Sequence, residues 1–288
     1  MTHVFVSPHP DDVAFSCGGL IASLRERGEP VTILTVFCAP GDLDRLTPYQ
    51  RLALGFGSRE KRQPGDDADL AEAAPASAGA AAGAVSTPEQ VMAVRRAEDA
   101  SFARIVGASI VFLSLPDAVF RGYEGDTELL GEPRPDDPAP IEQLRAALAG
   151  LAPDSPYLPF AIGGHVDHRQ ARRAGIALLA EPGSRYRDRT VFYEDFPYAL
   201  TTGFERLEQL NPEILPSLPR GAALIPEYVD IADLLERKLA GLHAYDSQLG
   251  RLFGGDNPMA SDVREHARCV GELGGVGPSE RYWRVTIS

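Results

Sequence analysis

The chain has 288 residues, 44% of them apolar, enough for a sizeable core in one large α/β domain and too many for a disordered or fibrous protein. Asp and Glu number 41 against 28 Lys and Arg, a formal charge of −13. Such a surface repels nucleic-acid phosphates and anionic lipid headgroups, which argues against both as partners.

The first element is a short buried strand, Val4-Phe5-Val6, closed by Ser7-Pro8. From Asp11 or Asp12 onward, Phe15, Leu20, Ile21 and Leu24 recur at helical spacing, and Gly28 stops the helix. Val31 to Cys38 is a near-continuous apolar strand of the kind covered on both faces. Strand, helix and strand in succession start a parallel α/β sheet. Residues 40–87 then break the rhythm with charged patches, Gly, Pro and an Ala/Gly/Ser tract from Ala73 to Ser86. They read as a long excursion within one domain spanning 1–288, with a low-complexity insertion at about 64–86.

A helix resumes with Thr87 as N-cap, Pro88 at the first position and Gln90 completing a capping box, and it ends at Gly107. Next come a strand at Ile110–Leu115, an irregular loop at about 120–140 rich in Gly, Pro and acid, and a helix at Ile141–Ala149. A strand at Tyr157–Ile162, a helix at Asp167–Ala180 and a strand at Val191–Tyr193 follow. Two helical stretches, 231–249 and 260–273, precede a last strand at Tyr282–Ile287.

Cys17, Cys38 and Cys269 lie far apart with no Cys-x-x-Cys spacing, which argues against a disulfide framework and for a reducing compartment. The N-terminus carries no basic leader, and no run reaches the roughly 18–20 apolar residues of a membrane span. A cytoplasmic protein is expected.

Two motifs carry chemistry. Pro8-His9-Pro10-Asp11-Asp12 lies at the carboxyl end of the first strand, where open parallel sheets collect their ligands. A plain helix start accounts for Pro10, Asp11 and Asp12 but leaves His9 idle. Gly163-Gly164-His165-Val166-Asp167-His168 sits at another strand end, behind a flexible glycine pair. Of six histidines, three fall in these two motifs. His9, Asp12 and one further histidine make an open three-ligand set, the pattern of catalytic zinc, although iron(II) suits it too. Asp11 is then free to take a proton from water, and the remaining histidine to donate to an oxyanion or a leaving amine. That inventory describes metal-assisted amide hydrolysis.

His-Pro-Asp-Asp near the N-terminus with a downstream His-x-Asp-His resembles the LmbE/PIG-L family of zinc-dependent N-acetylglucosaminide deacetylases. The resemblance implies a Rossmann-like fold, mostly parallel with helices on both faces, and hydrolytic removal of acetyl from an N-acetylglucosamine-containing small molecule. It implies zinc on His9, Asp12 and His168, Asp11 as general base, and His165 as the oxyanion or amine partner, with Asp167 tuning it. Arg95-x-x-Glu98, Gly107 and Leu115-Pro116-Asp117 resemble a further family stretch, implying sugar contacts from Arg95 and Asp117. Arg95 and Glu98 could also be a simple i, i+3 surface pair. The segments Tyr193–Tyr198 and Lys238…Tyr245-x-Ser247-Gln248 resemble the family as well, the last as packing residues. Gly163 stands where some sugar deacetylases carry a tyrosine, so a secondary oxyanion donor is missing or comes from elsewhere. An amidase of a glucosamine-thiol conjugate is the near alternative, and a metal-retaining sugar-binding module without turnover the distant one. The sequence is compatible with a homo-oligomer.

Overall fold

Successive side chains of a strand point to opposite faces, and here both faces of the first strand meet a core. Phe5 enters one apolar cluster and stacks on Tyr157 with ring centroids 4.1 Å apart, whereas Val4 and Val6 enter a second. The computed structural model describes residues 1–42, 46, 87–137, 139–202 and 215–287, so the insertion expected at about 64–86 lies outside the described residues. In chain order the elements are β1 (His3–Ser7), α1 (Asp12–Glu26), β2 (Val31–Ala39), α2 (Pro88–Val106), β3 (Ser109–Pro116) and α3 (Gly125–Leu129). Then come α4 (Ile141–Leu151), β4 (Ser155–Pro159), α5 (Val166–Ala180), β5 (Val191–Tyr193) and α6 (Tyr198–Thr202). The described chain closes with β6 (Ala222–Asp230), α7 (Leu235–Leu242), α8 (Asp246–Phe253), α9 (Asp256–Gly274) and β7 (Ser279–Ile287).

The strands form one seven-stranded sheet in the order β3-β2-β1-β4-β5-β7-β6. The first five run parallel; β7 is antiparallel to β5, and β6 to β7. Residues of α1, α2, α7 and α9 fill the cluster on one face, and residues of α4 and α5 fill that on the other. The expected mostly parallel α/β sheet is therefore present. From β1 the chain moves outward to β2 and β3, then crosses to β4 on the other side. Such a reversal opens a crevice at the carboxyl ends of the two diverging strands. The two His/Asp motifs occupy those ends.

Local chemistry explains the elements. Thr87 accepts the Gln90 N–H while the Gln90 side chain returns to the Thr87 N–H, the expected capping box, and Gly107 closes α2 at φ 79°. A cap of this kind contributes about 1 kcal/mol. Gly175 lets α5 lie close on the sheet, since a Cβ there would fall 2.4 Å from Leu158 Cδ1.

Three expectations are corrected. β6 was not expected: Pro226 interrupts its pattern, but β6 is an edge strand, where proline's missing donor is tolerated. β4 ends at Pro159, not Ile162; the chain then turns at Ala161, φ 60°, and the Ile162 N–H donates to an Asp195 carboxylate oxygen (3.0 Å). The helical stretch expected at 231–249 is divided, because a short 3₁₀ turn at His243–Tyr245 separates α7 from α8. That turn places the Tyr245 hydroxyl 2.6 Å from buried Asp99. No helix among the described residues is long and apolar enough to cross a membrane.

Candidate active site

Ser7 organises the first motif. Its hydroxyl donates to the His9 carbonyl (2.7 Å) and accepts the Val13 N–H (3.2 Å), folding the turn between β1 and α1. The His9 N–H donates to Asp12 Oδ2 (2.7 Å), which aims that carboxylate back at its own turn. Asp11 is held at φ 121°, a region an aspartate rarely adopts, and its side chain makes no capping bond to α1. Asp11 stands at the N-cap position, but capping by its side chain does not account for this strain, which costs of order 1–3 kcal/mol and is of the kind found at functional positions.

The second motif supplies the other half. At the start of α5, His168 is fully buried and its Nε2 lies 3.2 Å from Asp12 Oδ2, while His9 Nδ1 lies 3.3 Å from the same oxygen. The opposite nitrogen of each ring is held by a carboxylate, His9 Nε2 by Asp167 (2.8 Å) and His168 Nδ1 by Asp195 (2.6 Å). Each imidazole is thus oriented from behind, the arrangement that accompanies metal-ligating histidines. His168 Nε2 is buried and makes no hydrogen bond. An orphaned imidazole nitrogen facing a carboxylate and a second imidazole fits a divalent cation.

Two overlapping sets of donors lie within 4.8 Å of one another: His9, His165 and His168, and His9, Asp117 and Asp167. The second already holds two guanidinium groups, Arg95 at Asp117 (3.0 Å) and Arg121 at Asp167 (2.6 Å), whose charges oppose a metal there. Asp12 belongs to neither set, although its Oδ2 lies between His9 Nδ1 (3.3 Å) and His168 Nε2 (3.2 Å), on the side of His9 away from the two guanidinium groups.

Electrostatics follow the geometry. Burial disfavours charge on His9, yet the carboxylates of Asp117, Asp12 and Asp167 outweigh it and lift the ring to about 9. Burial opposes the charge of Asp12, but the two imidazoles hold its carboxyl well below the usual range. Asp11 is pushed up to about 7, chiefly by burial, with Arg95 opposing. Burial and the neighbouring His9 push His165 down to about 3, so its ring is neutral. Its Nδ1 accepts the Asp167 N–H (3.2 Å), which assigns the hydrogen to Nε2. The Asp167 carboxylate favours a proton on the His165 ring through space, against burial, while its hydrogen bonds go to His9, the Ala118 N–H (2.9 Å) and Arg121.

Arg95 reaches in from α2. It donates to Asp117 (3.0 Å), to the Pro10 carbonyl (3.3 Å) and towards Asp11 (3.5 Å). It does not form the surface pair with Glu98, which instead accepts from the Ser247 N–H (2.8 Å) and hydroxyl (2.7 Å). Tyr198 fills the space beside Gly163, where a Cβ would fall 2.5 Å from its ring, and stands edge-on to His168 at 5.6 Å. Sequence reasoning assigned no role to Asp195, Arg121 or Tyr198. For Asp195 a signal existed, an acid two residues past a strand on the same sheet edge.

The PIG-L family model, described as GlcNAc-PI de-N-acetylase, matches residues 4–179. A 2'-N-acetylparomamine deacetylase of Streptomyces fradiae is 31% identical over 92% of this chain and 77% of its own length. A 1D-myo-inositol 2-acetamido-2-deoxy-alpha-D-glucopyranoside deacetylase of Nocardia farcinica is 28% identical over 96% and 93%. A crystal structure of a deacetylase of the teicoplanin biosynthetic pathway, a triple mutant, shares the fold at TM-score 0.69 and 22% identity, over 100% of this chain and 99% of that one. The chain belongs to the PIG-L/LmbE family of deacetylases, enzymes that hydrolyse an amide bond.

Proposed function

We propose that this single-domain chain is a zinc-dependent hydrolase that removes the N-acetyl group from an N-acetylglucosamine-containing small molecule. The observation that carries the reading is the convergence of His9 Nδ1 and His168 Nε2 on Asp12, with buried Asp11 alongside but outside that set. His9, Asp12 and His168 would hold the metal, and three protein ligands of this kind leave a position open, as catalytic zinc requires. When bound, zinc supplies Lewis acidity and lowers the pKa of water towards roughly 7.

The chain's own groups do the rest. Asp11 accepts the proton of the attacking water as its oxygen bonds to the acetyl carbon. Neutral His165, with hydrogen on Nε2, donates to the developing oxyanion without first having to be protonated. The C–N bond then breaks, the amine nitrogen takes the proton held by Asp11, and acetate and the free amino sugar leave. Arg95 holds Asp11 on this path, and the joined pair of Arg95 and Asp117 is the group we assign to the sugar hydroxyls. The names of the two sequence relatives each specify an acetylated amino sugar, which supports that substrate class. The unpaired thiols Cys17, Cys38 and Cys269 support a reducing, cytoplasmic setting.

The test is product analysis with two substrates: an N-acetylglucosaminide, followed by released acetate, and a glucosamine-thiol conjugate, followed by its larger acyl product. Acetate release should exceed cleavage of the conjugate by at least about tenfold in kcat/KM, the scale on which a shaped pocket rejects bulk. Cleavage of the conjugate alone would make the chain an amidase. Saturable binding with no cleavage of either would leave a sugar-binding module.

A further inference from the structure

We infer that Arg121 is a positioning residue for the metal centre, fixing His9 by way of Asp167. The inference rests on the centre proposed above. The side chain of Asp167 is completely buried, and its two oxygens are divided between two tasks. Oδ1 accepts from Arg121 Nη2 (2.6 Å), whereas Oδ2 holds His9 Nε2 (2.8 Å) and the Ala118 N–H (2.9 Å). The same carboxylate thus joins a metal-facing imidazole to the stretch just after β3.

Arg121 is itself immobilised. Nη1 donates to the Pro116 carbonyl (2.7 Å), Nη2 and Nε donate to Asp137 (3.0 and 3.3 Å), and the guanidinium lies over the Phe37 ring at 5.2 Å. Tyr123 donates to Asp137 from the other side (2.5 Å). A guanidinium serving only this loop would need Asp137 and the Pro116 carbonyl. The additional short bond to Asp167 aims the loop's anchor at His9. Without it, Oδ1 is a buried carboxylate oxygen that has lost its guanidinium donor; the group turns to find another, and Oδ2 turns with it. The His9 ring then loses the hold that keeps Nδ1 pointed at Asp12.

The experiment measures the affinity of the full chain for zinc alone, by competition with a chromogenic chelator, in a double-mutant cycle. Arg121→Met should weaken zinc binding by about 10- to 100-fold, the usual consequence of disturbing a ligand's outer partner. Arg121→Lys should lose less, since an ammonium keeps the charge but cannot span both carboxylates. In an Asp167→Asn background, Arg121→Met should change affinity by no more than about twofold, because the route to His9 is already cut. Should Arg121→Met fail to fold, Arg121→Lys carries the same cycle. Zinc affinity of Arg121→Met within about twofold of wild type, or an equal loss in both backgrounds, overturns the inference. A wild-type chain that takes up no zinc overturns the centre itself and this inference with it, so the two failures are distinguishable.

Discussion

Asp11→Asn is expected to lower kcat by about 10²- to 10⁴-fold, the usual share of general base catalysis, while leaving metal content unchanged. Asparagine keeps the shape of the side chain and removes its basicity. The substitution is also tolerable to the fold. Asparagine accepts positive φ more readily than most residues, so the φ of 121° at this position is no new burden. Arg95 keeps its 3.0 Å bond to Asp117 and its bond to the Pro10 carbonyl, so no buried cation is left without a partner. Asp11 makes no capping bond to α1, so none is lost. Because Asp11 stands outside the proposed ligand set, zinc titration of the variant should match wild type. A variant with kcat within about twofold of wild type would place the base elsewhere and reduce Asp11 to a strained helix start.

His168→Gln is expected to weaken zinc binding by more than about 100-fold, beyond the loss from disturbing an outer partner, and to abolish acetate release in unsupplemented buffer. Glutamine approximates the volume of the imidazole and can keep a hydrogen bond to Asp195, so the fully buried site is not emptied. What disappears is the nitrogen facing Asp12 at 3.2 Å. The remaining pair, His9 and Asp12, offers two ligands where three are needed. Elemental analysis of the purified variant beside wild type reads the result. Full metal retention would remove His168 from the ligand set and turn attention to His165, the third imidazole within 4.8 Å.

The parts of the site that were legible in sequence are those whose residues are neighbours along the chain. Pro8–Asp12 and Gly163–His168 each follow a strand and precede a helix, and in a parallel sheet that order alone brings both to one edge. The capping box at Thr87 is legible for the same reason, since three residues carry the whole device. The groups that orient the histidines are another matter. Asp195 reaches His168 across 27 residues of sequence, and Arg121 reaches Asp167 across 46. Asp195 at least follows a strand on the same sheet edge, but nothing local marks Arg121, which sits in a Gly- and Pro-rich stretch whose composition spells only an irregular loop. That loop is ordered by Asp137, Arg121, Tyr123 and Arg134, a cluster assembled by charge and hydrogen bonding instead of periodicity. β6 escaped for a third reason, because an edge strand is held by one neighbour and shows neither clean alternation nor a continuous apolar run.

Amide hydrolysis by this chain is proposed to depend on one metal at His9, Asp12 and His168. That dependence is tested most directly by stripping the purified protein with a chelator, adding zinc back in steps, and following acetate release from an N-acetylglucosaminide at each step. Negligible release from the stripped protein, a linear rise with added zinc and a plateau at one equivalent per chain are expected. Undiminished acetate release from protein shown by elemental analysis to be metal-free would contradict that dependence.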